Sequence, residues 1–234
     1  MLGGRDKNQF EQVWQKKAEQ DELPLVYQPG NERVDQALRI IPPGSRFLDI
    51  GCGTGVLAQK LKGRYTEVHG TDIAEMPVQV AHQNGVQAVV HNLNTTPLPY
   101  EDQFFDLVTA LSVFQYFYDL DFALSEIGRV MKPSGTLLVS VPNMRAIWRI
   151  GKLALAGTFP RTSMDAVGYD GGALHYFCYR DMVHLLNEHG FNVTGSYGMF
   201  CIPGMMKAMP DRGLPGALKR EFFSAEILIM ARKR

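Results

Sequence analysis

The stretch LDIGCGTG, residues 48–55, decides the fold of this chain. It begins within the short apolar segment 46–50 and is followed by the helical pattern of residues 56–61. It therefore joins a strand to a helix. Its alternate glycines let the backbone pass close to a ligand, and the helix that follows offers unpaired amide groups at its N-terminus. We therefore predict a ligand-binding loop between a strand and a helix.

The rest of the chain repeats this alternation of short apolar strands with helices. The pattern is typical of βαβ units, which build a parallel sheet covered by helices on both faces. We predict an α/β fold with a doubly wound, mostly parallel sheet of seven strands. The predicted strands are residues 46–50, 67–72, 88–91, 105–111, 136–141, 191–197 and 225–231, and the predicted helices are residues 10–20, 31–41, 56–61, 76–84, 123–131 and 179–189.

The 234 residues suit one domain with additions. Residues 1–42 or so precede the first strand and are predicted to form an N-terminal helical cap. Residues 143–178 or so are longer than an ordinary strand–helix connection, so we predict an inserted lid after strand five. We predict a turn at residues 132–135 and irregular structure at residues 202–219, which are rich in Pro, Gly and Met.

The composition argues against several function classes. Lys and Arg together number 24, as do Asp and Glu, so the net charge is zero and a nucleic-acid partner is not predicted. Three widely spaced cysteines predict neither a disulfide framework nor a metal site, and they favour the reducing cytoplasm. The polar N-terminus does not resemble a secretory signal, and no apolar run has the length of a membrane span.

Two carboxylates accompany the glycine loop. Asp49 lies inside the motif, and Asp72 ends the second predicted strand within the sequence GTDI, residues 70–73. A carboxylate at the end of the second strand can accept hydrogen bonds from both hydroxyls of a ribose, as it does in dinucleotide-binding folds. The loop and Asp72 together predict a site for a nucleoside-containing cofactor.

Residues 49–55 are similar to the first motif of the class I methyltransferases that depend on S-adenosylmethionine (SAM), and residues 129–137 resemble that family's turn before strand five. The resemblance covers residues 46–142 well and the remainder loosely. In the family the loop holds the methionine end of SAM and the acidic residue holds the ribose. The resemblance implies SAM as cofactor, S-adenosylhomocysteine (SAH) as product, and cofactor contacts from Asp49, Gly51, Cys52, Gly53, Gly55, Asp72 and Ile73.

Two further strand ends are predicted to reach the cofactor. Asn92 and Leu93 follow strand three, where the family usually has an aspartate-containing segment at the adenine, and the amide of Asn92 can both donate to and accept from a base edge. A loop turn that uses Asn92 is the alternative. Leu111 and Ser112 end strand four, at the carboxyl edge where open α/β sheets bind ligands, and are predicted to contact the methionine end.

The catalytic prediction rests on two residues. Many relatives have Glu-His after strand four, whereas this chain has Gln115-Tyr116, so a histidine base from that loop is excluded. Tyr116 is a candidate for orienting the acceptor, and local packing is its alternative. His175 closes the predicted lid and is the candidate general base, because an unperturbed histidine titrates near neutral pH. Anchoring of the lid is the alternative for His175.

The lid also suggests the nature of the acceptor. Residues 144–159 mix cations with apolar residues at helical spacing, so we predict a helix whose apolar face packs on the core and whose cations lie at its border. A helix on a membrane surface is the less favoured interpretation. Together with a methionine-rich segment, this helix suggests an adaptable apolar acceptor pocket. The methionines are Met199, Met205, Met206 and Met209.

The predicted function is methyl transfer from SAM to an oxygen or nitrogen of a small-molecule or lipid-like acceptor. Two alternatives stay open. A SAM-binding fold can serve as a non-catalytic regulatory or partner protein. A nicotinamide-dependent oxidoreductase would also use Asp72, but residues 49–55 have the spacing Asp-x-Gly-x-Gly-x-Gly rather than Gly-x-Gly-x-x-Gly.

Overall fold

A computed structural model describes residues 3–28, 30–163, 169–201 and 213–234. Seven strands form one sheet, which confirms the predicted doubly wound fold. The strands are β1 (Arg46–Ile50), β2 (Glu67–Asp72), β3 (Gln87–Val90), β4 (Phe105–Leu111), β5 (Met131–Pro142), β6 (Phe191–Cys201) and β7 (Ser224–Lys233). Their order in the sheet is β3-β2-β1-β4-β5-β7-β6, with β7 antiparallel to both of its neighbours and the other pairings parallel.

Eight α-helices accompany the sheet in the described residues. They are α1 (Gly3–Glu19), α2 (Glu32–Ile40), α3 (Val56–Leu61), α4 (Glu75–Gln83), α5 (Leu120–Val130), α6 (Ile147–Ala156), α7 (Tyr179–Glu188) and α8 (Gly213–Phe222). Caps fix two of the helix starts: Asn31 accepts a hydrogen bond from Val34 N at α2, and Asp119 accepts one from Phe122 N at α5. Among these helices, none is long and apolar enough to cross a membrane.

The sheet separates two apolar clusters, because successive strand residues point to opposite faces. Leu48 of β1 packs in the cluster that includes α5 and α7, whereas the preceding Phe47 packs in the cluster that includes α2, α3 and α4. The central strands are therefore buried on both sides. This burial explains why their sequences are continuous apolar runs rather than alternating patterns.

Two segments predicted as a turn or as irregular structure belong, wholly or in part, to regular elements. β5 begins at Met131, not after a turn at residues 132–135, because Met131 pairs with Phe105 and the following residues form a bulge before Thr136 pairs with Leu107. Part of the segment predicted to be irregular, residues 202–219, belongs to α8, which begins at Gly213. Met205, Met206 and Met209 lie outside the described residues.

The segment after β5 leaves the sheet and returns to it. An isolated parallel bridge joins Asn143 to Phe177, so both ends of the segment lie together beside the carboxyl end of β5. Between them the chain forms α6 and a short 3₁₀ turn over Tyr169–Gly172. The function of this segment as a lid stays a prediction.

Candidate active site

A cavity of about 560 Å³ lies at the carboxyl ends of the parallel strands. Its wall includes the ends of β1 to β4, and it is completed by residues from α1, α2, the segment after β5 and the beginning of β7. Open α/β sheets bind their ligands at this edge, and the volume is in the usual range for small-molecule sites. The cavity is therefore the candidate active site.

The glycine loop contributes one residue directly to the wall of this cavity. Gly51 has a φ of +69°, lines the cavity, and lies so close to Val113 that an added Cβ would overlap a methyl group of that residue. Gly53 packs under Trp14, with only 2.9 Å available between a Cβ and the indole ring. Gly55 packs against Val86, and Cys52 is buried with its sulfur against Gly70. These three residues pack against other parts of the protein and do not line the cavity, and their direct contact with cofactor stays a prediction.

We expect Gly51→Ala to weaken SAM binding about tenfold or more, which corresponds to at least about 1.4 kcal/mol. The overlap requires the loop or Val113 to shift, which alters the cavity wall that both residues line, and such overpacking costs about 1–3 kcal/mol beyond the backbone strain. Gly63→Ala is the matched control, since Gly63 also has a positive φ but no atom within 4 Å of an added Cβ. Calorimetric titration with SAM measures the affinity of each variant. Equal SAM affinities of the two variants would contradict the assignment of Gly51.

Asp72 lies at the cavity wall beside Ile73 and is buried. One carboxylate oxygen accepts the amide proton of Gly53 at 2.9 Å, and the other accepts that of Ala74 at 3.0 Å. Burial raises the pKa of this carboxyl, and these backbone hydrogen bonds oppose the rise. Asp72 thus fixes the loop from β2 and presents a carboxylate to the cavity, as its predicted ribose-binding role requires.

Asp49 occupies a different place from the one predicted, because it does not line the cavity. It is buried beneath the loop, where Thr109 Oγ1 donates a hydrogen bond to it at 2.5 Å. Burial raises the pKa of Asp49 to about 7, opposed by the Thr109 hydrogen bond and aided by the charge of Asp72. The geometry gives Asp49 a supporting role under the loop, and its contact with cofactor stays a prediction.

We expect Asp49→Asn to stabilise the chain more at pH 8 than at pH 5. The folded pKa of about 7 lies above the ordinary value of 3.8, so the contribution of Asp49 to stability is full below the unfolded pKa and is lost as the pH rises through about 7. Asparagine keeps an acceptor for Thr109 and does not titrate. The melting temperatures of both proteins at the two pH values measure the difference. A difference that is independent of pH would show that Asp49 titrates normally.

The remaining predicted cofactor residues do line the cavity. Asn92 and Leu93 follow β3, and Leu111 and Ser112 close β4. Asn92 also accepts a hydrogen bond from Asn94 N, so it forms the predicted local turn and still faces the cavity. Ser112 has a φ of +56°, and its hydroxyl donates to Glu226 at 2.6 Å.

The two predicted catalytic residues are not brought together at the cavity. Tyr116 lines it and meets the ring of Phe10 edge to face at 5.1 Å. His175 is absent from the cavity wall formed by the described residues, because its Nε2 donates to the carbonyl oxygen of Phe117 at 2.8 Å and its backbone amide donates to Gln115. This arrangement fastens residues 114–117 to the end of the predicted lid. It matches the anchoring alternative and does not place His175 as a base.

The sequence prediction missed the contribution of α1 to the site. Phe10, Val13, Trp14 and Lys17 form one wall of the cavity. The helical spacing of these four residues was visible in the sequence, but it indicated only an amphipathic helix. Only the packing of Trp14 on Gly53 and of Phe10 on Tyr116 shows that the buried face of α1 covers the glycine loop.

A buried carboxylate was also missed. Glu226 near the start of β7 is 5% exposed and lines the cavity. Arg33 of α2 donates to both of its oxygens, at 2.8 and 2.7 Å, and the hydroxyls of Ser112 and Ser140 donate to Oε1. Burial opposes ionisation, but Arg33 and the two hydroxyls hold the pKa of Glu226 below its ordinary value.

The packing of α6 is opposite to the prediction. Four of its apolar side chains are exposed, Trp148 is half-buried, and its only buried residue is the cation Arg149. Arg149 lines the cavity together with Thr162 and Ser163. Among the described residues, the exposed apolar side chains of α6 do not line the cavity, so they do not form the predicted acceptor pocket there. The exposed residues are Ile147, Ile150, Leu153 and Leu155.

The comparison with known proteins agrees with this geometry. A family model described as a methyltransferase domain matches residues 48–139. Arginine-hydroxylase NDUFAF5 of Mus musculus is 30% identical over 192 residues, which are 80% of this chain and 54% of that protein. Ubiquinone biosynthesis O-methyltransferase of Hahella chejuensis is 32% identical over 106 residues, 43% of this chain and 44% of that protein. The chain thus spans about half the length of these curated relatives.

The fold is shared with solved methyltransferase structures. A chain from the complex between the Haloferax volcanii Trm112 methyltransferase activator and a methyltransferase superposes with a TM-score of 0.63 at 18% identity, covering 94% of this chain and 93% of that one. The match of the family model includes the glycine loop, Asp72 and the turn before Thr136. The matched residues therefore form a methyltransferase domain, and the chain has the fold of the class I SAM-dependent methyltransferases, a family whose cofactor is SAM.

Proposed function

We propose that the chain transfers a methyl group from SAM to an oxygen or nitrogen atom of a small-molecule or lipid-like acceptor. The observation that carries the proposal is a single cavity with two chemically different sets of lining residues. One set comprises the predicted cofactor residues Gly51, Asp72 and Asn92. The other comprises the charged residues Arg33, Arg149 and Glu226. A cofactor and an acceptor can therefore meet in one cavity.

The first set fits SAM. Gly51 leaves room where a side chain would intrude, Asp72 offers a buried carboxylate for the ribose, and Asn92 offers an amide for the adenine edge. When bound, SAM supplies a methyl group on a positively charged sulfur. The residues of the chain contribute mainly by holding the acceptor in line with that group, since correct positioning alone can supply much of the rate enhancement.

Glu226 is the residue best suited to orient the acceptor. Its lowered pKa keeps it ionised at neutral pH, so it is a good hydrogen-bond acceptor and a weak base. Its Oε1 receives three hydrogen bonds, whereas Oε2 receives only one from Arg33 among the described residues. An O–H or N–H group of the acceptor can therefore donate to Oε2. This arrangement supports an oxygen or nitrogen nucleophile.

The test is turnover of SAM carrying a labelled methyl group with a fractionated metabolite extract, read by mass spectrometry. We expect SAH and a product that has gained the labelled methyl, and neither with the Asp72→Ala variant. SAM binding without turnover in any fraction would instead support the non-catalytic alternative. Tight NADH binding without SAM binding, measured by calorimetry, would support the oxidoreductase.

Hydroxylation is a second candidate, because the relative that matches 80% of this chain is named an arginine-hydroxylase. That reaction would require molecular oxygen and a two-electron donor as co-reactants, with the second oxygen atom released as water. The same mass spectra distinguish the two reactions. A product that gains one oxygen atom and no labelled methyl group would favour hydroxylation and contradict methyl transfer.

We propose the cytoplasm as the location and, as the partner, a small-molecule or lipid-like acceptor that the chain binds without lying on a membrane surface. Cys52, Cys178 and Cys201 are free thiols, which suits a reducing compartment. The zero net charge gives no support to a nucleic-acid partner. Flotation of the purified chain with liposomes tests the remaining alternative, in which the exposed apolar residues of α6 lie on a membrane. Retention on the liposomes would contradict our proposal.

A further inference from the structure

Arg149 is a buried cation at the wall of the candidate active site. It is 8% exposed and lies in the first turn of α6, whereas four apolar residues of the same helix are exposed. This helix exposes leucine and isoleucine but buries an arginine. Burial of the charged side chain has a desolvation cost, which a compensating interaction must offset. The cavity, which Arg149 lines, is where such an interaction is available.

The guanidinium of Arg149 is held in place by uncharged groups. Its Nη1 donates to the carbonyl oxygens of Asn143 at 2.8 Å and Ala225 at 2.7 Å. Asn143 is itself fixed, because its side-chain amide donates to three carbonyl oxygens at the end of α8 and the start of β7. The position of Arg149 is thus defined by the backbone, and its charge is left without a counterion in these contacts.

The neighbouring carboxylates are already engaged with other donors. Glu226 binds Arg33 through both oxygens and accepts two serine hydroxyls. Asp170 accepts the amides of Thr162 and Ser163 and the hydroxyl of Thr162. Neither forms an ion pair with Arg149 among the described residues. Burial lowers the pKa of Arg149, and the more distant charges of Asp170 and Glu226 oppose the shift only in part.

We propose that the acceptor carries an oxyanion, a carboxylate or a phosphate, which binds Arg149 between α6 and residues 162–163. The guanidinium has the donor geometry that recognises such groups, and Thr162 and Ser163 line the same cavity. The anion would anchor the acceptor beside Glu226, whose neighbour Ala225 already contacts Arg149. This inference rests on the proposed function and narrows its substrate class.

The test uses malonate and inorganic phosphate as probes, titrated separately by calorimetry into the chain loaded with SAH. We expect at least one of them to bind, and Arg149→Gln to weaken that binding about tenfold or more, as the loss of a charge-assisted contact predicts. Arg149→Lys should be intermediate because it keeps the charge but loses the planar fork. Arg180→Gln, which removes an exposed arginine of α7, is the matched control and should bind the probe as the wild type does.

The affinity for SAH is measured for each variant and should be unchanged. A loss of SAH affinity in Arg149→Gln with a normal melting temperature would assign Arg149 to the cofactor and overturn the proposal. If Arg149→Gln does not fold, Arg149→Lys decides, and an unchanged affinity for the probe would overturn the proposal. Failure of the wild-type chain to bind either probe would also overturn it. Labelled methyl transfer is assayed separately, so the proposed function would stand in all three cases.

Discussion

We expect Asp72→Ala to lower the affinity for SAM on the order of 100-fold or more, the largest effect of any substitution in the cofactor half of the cavity. The buried carboxylate lines the cavity, where we predict that it accepts both ribose hydroxyls, and each hydrogen bond to a charged group contributes about 1.5–3 kcal/mol. The substitution also removes the acceptor for the Gly53 and Ala74 amides, so the glycine loop loses its fastening to β2. Calorimetric titration with SAM and SAH measures the loss.

Asp106→Ala is the control for this experiment. Asp106 near the start of β4 also accepts two backbone amides, from Ser45 and Arg46, and it binds Lys132, but it lies away from the cavity. Its removal should lower stability without changing SAM affinity. The fluorescence of Trp14 provides a second reading of binding in a Trp148→Phe background, because Trp14 packs on the loop. An Asp72→Ala chain that binds SAM as the wild type does would contradict the assignment.

Glu226→Ala should destabilise the fold by about 3 kcal/mol, at the lower end of the 3–5 kcal/mol typical when one member of a buried ion pair is removed. The lower end is expected because the side chain of Arg33 is one-third exposed through the cavity. Arg33 would lose its counterion, and the hydroxyls of Ser112 and Ser140 would lose their common acceptor. Urea unfolding followed by circular dichroism measures the change.

Glu67→Ala is the matched control for the ion pair. Glu67 pairs with Arg46, and both side chains are more than one-third exposed, so its loss should cost about 0–1 kcal/mol. The free energy of unfolding measured at decreasing pH gives an independent test of the role of Glu226. The lowered folded pKa of Glu226 means that its contribution is present above the unfolded pKa and is lost as the pH falls through the folded value. Equal destabilisation by the two alanine substitutions would contradict the role assigned to Glu226.

The parts of the fold that the sequence predicts well are those encoded by residues close together in the chain. The glycine loop, Asp72 and the apolar strands are encoded by short-range patterns, and all seven predicted strands are present. The predicted start of β5 was wrong because Lys132 and Ser134, which are typical of a turn, lie in a bulge within the strand. Pairing with β4 determines where β5 begins. This pairing joins residues far apart in the chain, so the local sequence pattern does not reveal it.

The acceptor half of the site could not be predicted for the same reason. Arg33 and Glu226 are 193 residues apart in the chain, and neither belongs to a motif. Arg149 was visible as one of several cations at the border of an apolar helix, but its burial depends on the carbonyl groups of Asn143 and Ala225. His175 was singled out because its residue type suits base chemistry, whereas the carbonyl of Phe117 determines where its ring lies.

The position of β7 also has a consequence for the kinetics of folding. β7 follows β6 in the chain but lies between β5 and β6 in the sheet, so β6 cannot join the sheet until β7 has paired with β5. Pairings between such distant segments form slowly, because a long loop must close before any contact compensates for its entropy. Glu226 is carried on β7 and reaches Arg33 only when that step is complete. In a refolding experiment, recovery of the acceptor half of the cavity therefore marks the completion of the sheet.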